Sequence, residues 1–193
     1  MKMNSASVVY ILTLAFLTLS FECNNIDDHI REYLTNPNDD LSRLNLVLEG
    51  GKMDGYYTTE ELYLIFKNLH LQYPTFISAE PIGRSFQNNV ILSFNLHSKL
   101  SAKASIQRSK ILLTAGHLGR DLITTTMILN VFLRQLHGLI HGTADALFWK
   151  LNEMLFVPVV NVDTHKYISE SFGTENWNTR KRKEKNMNSM YCR

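Results

Sequence analysis

Lys110–Leu129, KILLTAGHLGRDLITTTMIL, is the stretch that decides the fold, because the spacing of its apolar residues changes in the middle. The short apolar run Ile111–Leu113 predicts a buried strand, and from Asp121 onward apolar residues recur with helical spacing. A strand therefore runs into a helix through the turn Gly116–Asp121. In open α/β sheets ligands bind beyond the carboxyl ends of the strands, so this turn is the candidate functional site.

His117 and Asp121 are the residues of this turn that point to a chemistry. An imidazole nitrogen and a carboxylate oxygen are both zinc ligands, and a catalytic zinc takes three protein ligands and a water. The turn supplies two candidate ligands, and a third has to come from elsewhere. The alternative is structural, with His117 as a polar turn residue and Asp121 as a cap of the following helix, where the helix dipole stabilises a carboxylate.

Length and composition predict one globular domain with an ordinary core, since the chain has 193 residues, 45% of them hydrophobic and 20% charged. A net charge of +2 spread over the chain gives no argument for nucleic-acid binding.

Residues 1–22 predict a secretory signal peptide. Lys2 precedes an apolar core at Val8–Leu19, and small residues follow it. The apolar run is shorter than the roughly 20 residues of a membrane span. We therefore expect a secreted, extracellular or endomembrane-lumenal protein with no stable membrane association after cleavage. An uncleaved signal anchor is the alternative.

Residues 23–50 form a polar N-terminal segment in which Leu44, Leu46 and Leu48 alternate and predict a small strand. Cys23 and Cys192 lie at opposite ends of the chain and make a weak disulfide framework.

The rest of the chain alternates helices and strands, which predicts an α/β domain with a mixed sheet. A helix begins at Thr58, whose spacing to Glu61 is that of a capping box, and ends near Tyr73 because Pro74 follows. The other predicted features, in order, are strands at Ile77–Phe86 and Val90–Leu96, a helix break at Gly138–Thr143, a short helix at Ala144–Glu153 and a buried strand at Met154–Val160.

Three further histidines, His137, His141 and His165, are candidate functional residues. His137 and His141 are spaced i, i+4 and form a possible metal clamp on one helix face, but Gly138 and Gly142 indicate that the helix is ending there. His165 is interpreted as a loop histidine.

Four stretches, taken in order, resemble the N-terminal half of the zinc carboxypeptidases, the pancreatic-type metallocarboxypeptidases. They are Tyr57–Pro74 (the opening helix and its "YP" end), Ile82–Phe86 (the "iGkSyeGR" hairpin), Leu113–Asp121 (the zinc motif) and Phe156–Asp163 (the "PvvNPDG" strand). The resemblance covers residues 51–193. It implies a partial mixed-sheet α/β domain, truncated before the C-terminal half of the family's fold.

The zinc motif departs from the family's pattern at both ligand positions. The family has His-x-x-Glu with an Arg before the Glu, and Arg120-Asp121 fits the Arg-Glu pair. Leu118 occupies the expected His slot, and His117 lies one place too early. Either a one-residue adjustment brings His117 to the metal, or the site has lost its first His. Asp121 is also one methylene shorter than Glu.

The resemblance implies a hydrolase that uses one zinc ion to remove C-terminal residues from peptides or proteins. It places Arg120, Arg182 and Lys183 at substrate or oxyanion positions, and it places the general base beyond Arg193. Two hypotheses follow. The first is a secreted zinc metallocarboxypeptidase present as a truncated chain that is inactive alone. The second is a non-catalytic secreted pseudo-peptidase that binds peptides or a partner.

Overall fold

The computed structural model describes residues 26–98 and 108–173. The chain divides into two compact units, Met1–Val47 and Leu48–Arg193. No helix within the described ranges is long and apolar enough to cross a membrane. The predicted signal peptide and both cysteines lie outside the described residues.

Two helices form the described part of the first unit, α1 at residues 26–35 and α2 at Leu41–Leu48. The strand predicted from the alternation of Leu44, Leu46 and Leu48 is therefore wrong.

Helix α2 forms because Asp40 caps its first turn. The Asp40 carboxylate accepts hydrogen bonds from the backbone N–H groups of Ser42 and Arg43, at 3.0 and 3.3 Å. Leu44 and Val47, three residues apart, are both buried. The apolar residues of this segment thus follow a helical period, which the alternation of leucines concealed.

The second unit opens with helix α3, Thr59–Gln72, whose predicted start and end are both confirmed. The Thr58 hydroxyl accepts from the Glu61 backbone N–H at 3.2 Å, and the Glu61 carboxylate accepts from the Thr58 N–H at 2.9 Å. At the other end Tyr73 caps the helix just before Pro74.

A four-stranded mixed sheet follows, as predicted, with β4 at its centre. Strand β4 pairs antiparallel with β2 and parallel with β3, so the spatial order is β1-β2-β4-β3. The strands are β1 Ile77–Arg84, β2 Val90–Leu96, β3 Ser109–Thr114 and β4 Asn152–Val157.

Helix α4, Leu122–His141, follows β3 and ends within the break predicted at Gly138–Thr143, although the helix runs through Gly138, so the break begins later than predicted. It ends at Gly142, which adopts a left-handed conformation with φ of 69°. The short helix α5, Ala146–Leu151, leads into β4.

Strand β4 begins and ends earlier than the predicted Met154–Val160, since it spans Asn152–Val157. Pro158 follows it directly, and a proline has no N–H to donate to the sheet. Helix α6, Val162–Glu170, completes the described part of the chain.

Four phenylalanines join the two long helices to the sheet. Phe66 of α3 stacks on Phe94 of β2 with ring centroids 4.8 Å apart, and its ring meets Phe132 of α4 at 4.7 Å. Phe132 in turn meets Phe156 of β4 edge-on at 4.9 Å. Phe94 and Phe156 are paired in the sheet, so α3 and α4 cover the same sheet face.

Strand β3 is less buried than its apolar sequence predicted. Within the described part of the chain it pairs only with β4, and Leu112 is 61% exposed. Leu112 is paired with Leu155, on the face opposite the phenylalanines. The prediction of a buried strand is therefore wrong for this side of β3.

Asp163 of α6 fixes the β1–β2 turn in place. Its buried carboxylate accepts hydrogen bonds from the Ser85 hydroxyl, from the Gln87 backbone N–H at 3.0 Å and from the Asn89 side-chain amide at 2.8 Å. Three donors on one turn therefore converge on a single carboxylate, which holds the hairpin against α6.

We expect Asp163→Ala to lower the free energy of unfolding by about 3 kcal/mol, because it leaves three donors without their acceptor. Asp145→Ala is the matched control. Asp145 also accepts two backbone N–H bonds, but it caps an exposed helix end, so its loss should cost about 1 kcal/mol. Urea unfolding followed by circular dichroism measures both. Equal losses in the two variants would contradict the role assigned to Asp163.

Candidate functional site

The candidate site forms where β3 and β4 end side by side. Their backbone pairing continues past both strands, since Ala115 N–H donates to Val157 at 3.0 Å and Val160 N–H donates back to Ala115 at 2.9 Å. Asn161 N–H then donates to Gly116 at 2.9 Å. The turn that precedes α4 is thereby held beside the start of α6.

Two glycines allow this close approach. Gly116 has φ of 61°, and a Cβ there would lie 3.1 Å from Val159 Cα. A Cβ at Gly119 would lie 2.4 Å from Thr164 Cγ2 and 2.6 Å from the Thr164 carbonyl oxygen. Only glycine fits at position 119 without displacing the first turn of α6.

His117 lies exposed on this turn and is already hydrogen bonded. Its Nε2 lies 2.8 Å from the Thr114 hydroxyl, and its backbone carbonyl accepts from the Asn161 side-chain amide at 3.2 Å. The partners of both contacts lie in the turn or directly beside it, so these hydrogen bonds stabilise the turn.

Asp121 occupies the N-cap position of α4, as the structural alternative predicted, but its side chain makes no capping hydrogen bond. Its backbone closes the turn instead, with the N–H donating to Leu118 at 3.0 Å and the carbonyl accepting from the Thr124 hydroxyl at 2.7 Å. Arg120, beside it, is half-buried. Arg182 and Lys183 lie outside the described residues.

The described residues do not fit a catalytic zinc ion. Across 26–98 and 108–173, no three His, Cys, Asp or Glu side chains come together as a metal site requires. Leu118 carries no donor atom at the expected ligand position. The two candidate ligands, His117 and Asp121, share the turn without a described third partner.

Helix α6 contains a buried histidine, His165. His165, interpreted as a loop residue, lies inside α6 and has no exposed surface, so that interpretation is wrong. The sequence signal for this helix is Asn161 at its N-cap, whose side-chain oxygen accepts a hydrogen bond from the Thr164 N–H at 3.3 Å.

His165 is held as a neutral imidazole. Its Nδ1 lies 2.9 Å from the Thr59 hydroxyl at the start of α3, while its Nε2 has no hydrogen-bond partner among the described residues. Burial lowers the pKa of His165 to about 4, although the nearby Glu60 carboxylate acts in the opposite direction. The residue joins α6 to α3 rather than facing a ligand.

Fold and site together define a general class of protein. It is a mixed α/β domain with a polar turn at the carboxyl end of a parallel strand pair. The sequence is more specific, since residues 62–193 match the model of the zinc carboxypeptidase family. The chain therefore belongs to the zinc carboxypeptidases, a family of zinc-dependent proteases. No curated protein sequence matches the chain significantly.

Solved structures show the same fold. The chain is similar to thrombin activatable fibrinolysis inhibitor, with a TM-score of 0.53 and 21% identity over 74% of this chain and 33% of that one. It is also similar to carboxypeptidase A from Helicoverpa armigera, with a TM-score of 0.50 and 17% identity over 65% of this chain and 29% of that one. The chain thus spans about a third of the length of these structures.

The stability of the chain should fall as the pH drops from about 6.5 towards 4, because the unfolded chain protonates His165 before the folded one does. The pKa difference corresponds to about 3 kcal/mol of unfolding free energy, present above pH 6.5 and lost by about pH 4. Urea unfolding from pH 4 to 7 measures this loss.

His165→Asn and the exposed His117→Asn form a matched pair for this measurement. The His165→Asn variant should show a flatter pH profile than the unaltered chain, and the His117→Asn variant should keep the original slope. A His165→Asn profile parallel to that of the unaltered chain would contradict the assignment.

Proposed function

We propose that this chain is a secreted, non-catalytic member of the zinc carboxypeptidase family that acts by binding an extended peptide segment of a partner. The observation that carries the proposal is Leu118, which stands at the position of the first zinc-binding His of the family motif. Close packing prevents the residues of this turn from shifting by one position.

Gly119 prevents such a shift because it packs against Thr164. Bringing His117 into the ligand position by a one-residue shift would move Leu118 into the place of Gly119. There the leucine Cβ would lie 2.4 Å from Thr164 Cγ2, a distance that no side chain tolerates. Of the two alternatives left by the sequence, the structure supports loss of the ligand over a shifted motif.

The remaining residues of the motif fit a non-catalytic role. Asp121 is too short by one methylene for the family's ligand geometry, which tolerates errors of only about 0.2 Å in ligand distance. Arg120 carries the positive charge of the family's Arg position, and we assign Arg120, Arg182 and Lys183 the general role of attracting carboxylates.

Strand β3 is the proposed binding surface. Among the residues that the structure describes, its pairing uses one edge, towards β4, and Leu112 stands exposed on the strand. An extended peptide gains main-chain hydrogen bonds by adding to such an edge, and alternate side chains give it specificity. The apolar sequence at residues 1–22 supports secretion, where peptides and proteins with accessible extended segments would be the partners.

The purified chain should release no C-terminal amino acid from synthetic peptide substrates, with or without added zinc. After chelator treatment and reloading with zinc, elemental analysis should find the same metal content in the chain and in a His117→Ala/Asp121→Ala variant. A Leu118→His/Asp121→Glu variant should bind zinc more tightly, because it restores two family ligands. Hydrolysis that a chelator abolishes, or an ion lost in the double alanine variant, would overturn the proposal.

Without a partner, the β3 edge should pair with other copies of the chain, since unprotected edges promote association. Leu112→Lys should reduce this association at least several-fold, as measured by size-exclusion chromatography with light scattering over a concentration series. Leu71→Lys is the control, because Leu71 is 75% exposed on α3, away from the sheet edge. If both substitutions lowered association equally, general surface hydrophobicity and not the β3 edge would be responsible.

A further inference from the structure

Two histidines come together near the C-terminal end of α4. His137 and His141 lie one helical turn apart, and their ring centroids are 4.5 Å apart with the ring planes inclined by 46°. His137 is 4% exposed and His141 is half-buried. Since α4 continues to His141, the objection that the helix ends at Gly138 no longer holds.

The separation of the two rings suits a shared metal ion. Zinc–nitrogen distances of about 2.0–2.1 Å place the centroids of two imidazoles on one tetrahedral ion about 5 Å apart. Side chains at i and i+4 lie on the same helix face, so both rings approach the ion from one side. The observed separation of 4.5 Å is close to this value.

The surroundings of His141 leave room for the ion's other ligands and favour a positive charge. A cavity of about 440 Å³ lies beside it and is lined by Phe76, Ser98 and Trp149 among others. The C-terminus of a 20-residue helix also carries a partial negative charge, which stabilises a cation in the last turn.

We propose that His137 and His141 bind a divalent transition-metal ion of the zinc, nickel and copper class, whose preferred nitrogen ligand in proteins is imidazole. Within the described ranges no third His, Cys, Asp or Glu joins the pair. The remaining positions are therefore filled by water or by a small ligand from the cavity, and the ion is exchangeable. This site is separate from the family's zinc motif and does not depend on the proposed function.

Zinc titration of the chelator-treated chain tests the proposal. Isothermal calorimetry should find one ion bound per chain, and zinc at about 100-fold above its dissociation constant should raise Tm by about 5 °C. His137→Gln and His141→Gln should each weaken binding at least about tenfold, the difference that loss of about 1.4 kcal/mol produces. The double variant should bind zinc no more tightly than a chain that lacks a chelating histidine pair. His29→Gln, which removes a histidine from the other unit, should leave binding unchanged.

Each variant is compared with its own metal-free Tm, so a loss of stability is not mistaken for a loss of binding. If His137→Gln does not fold, electron paramagnetic resonance of the copper-loaded unaltered chain still counts the ligands, and two imidazole nitrogens are expected. One or none, or unchanged zinc affinity in His141→Gln, would overturn the inference. Loss of the ion in His117→Ala/Asp121→Ala alone would overturn this inference and the proposed function together, whereas loss in His141→Gln alone supports both.

Discussion

The parallel pairing of β3 with β4 is the constraint on which the candidate site depends. Because hydrogen bonds continue from the strands through Ala115 and Gly116, the turn before α4 and the start of α6 have no freedom to separate. Gly119 then packs directly on Thr164. The backbone of this turn is therefore held by hydrogen bonds and by close packing.

The side chain of Leu118 makes none of these backbone hydrogen bonds. The contacts that hold the turn come from backbone groups, from two glycines and from the side chains of Thr114, Thr124 and Asn161. A leucine at position 118 is therefore compatible with the hydrogen bonds of the turn. Fold and site are separable here because different atoms of the same turn determine them.

Two buried polar side chains of helix α6 connect this turn to the rest of the second unit. One is a carboxylate that accepts several hydrogen bonds, and the other is a neutral imidazole. Asp163 is surrounded by three donors from the β1–β2 turn, which satisfy a carboxylate. His165, two residues later, meets the Thr59 hydroxyl and is kept neutral by burial. Both side chains tie α6 to distant elements, and the hydrogen bond from Ser85 to Asp163 joins the stretches 82–86 and 156–163.

The sequence by itself determined the features that a few neighbouring residues encode. The capping box of Thr58 and Glu61, the hairpin strands and the strand-to-helix change at Gly116–Asp121 all follow from local spacing, because backbone hydrogen bonds act over short distances. Only the tertiary structure decided burial and partnership. It exposed Leu112 on β3, buried His165 and allowed α4 to continue through Gly138, which places His137 beside His141. These outcomes depend on residues far away in the chain, whose positions no local pattern specifies.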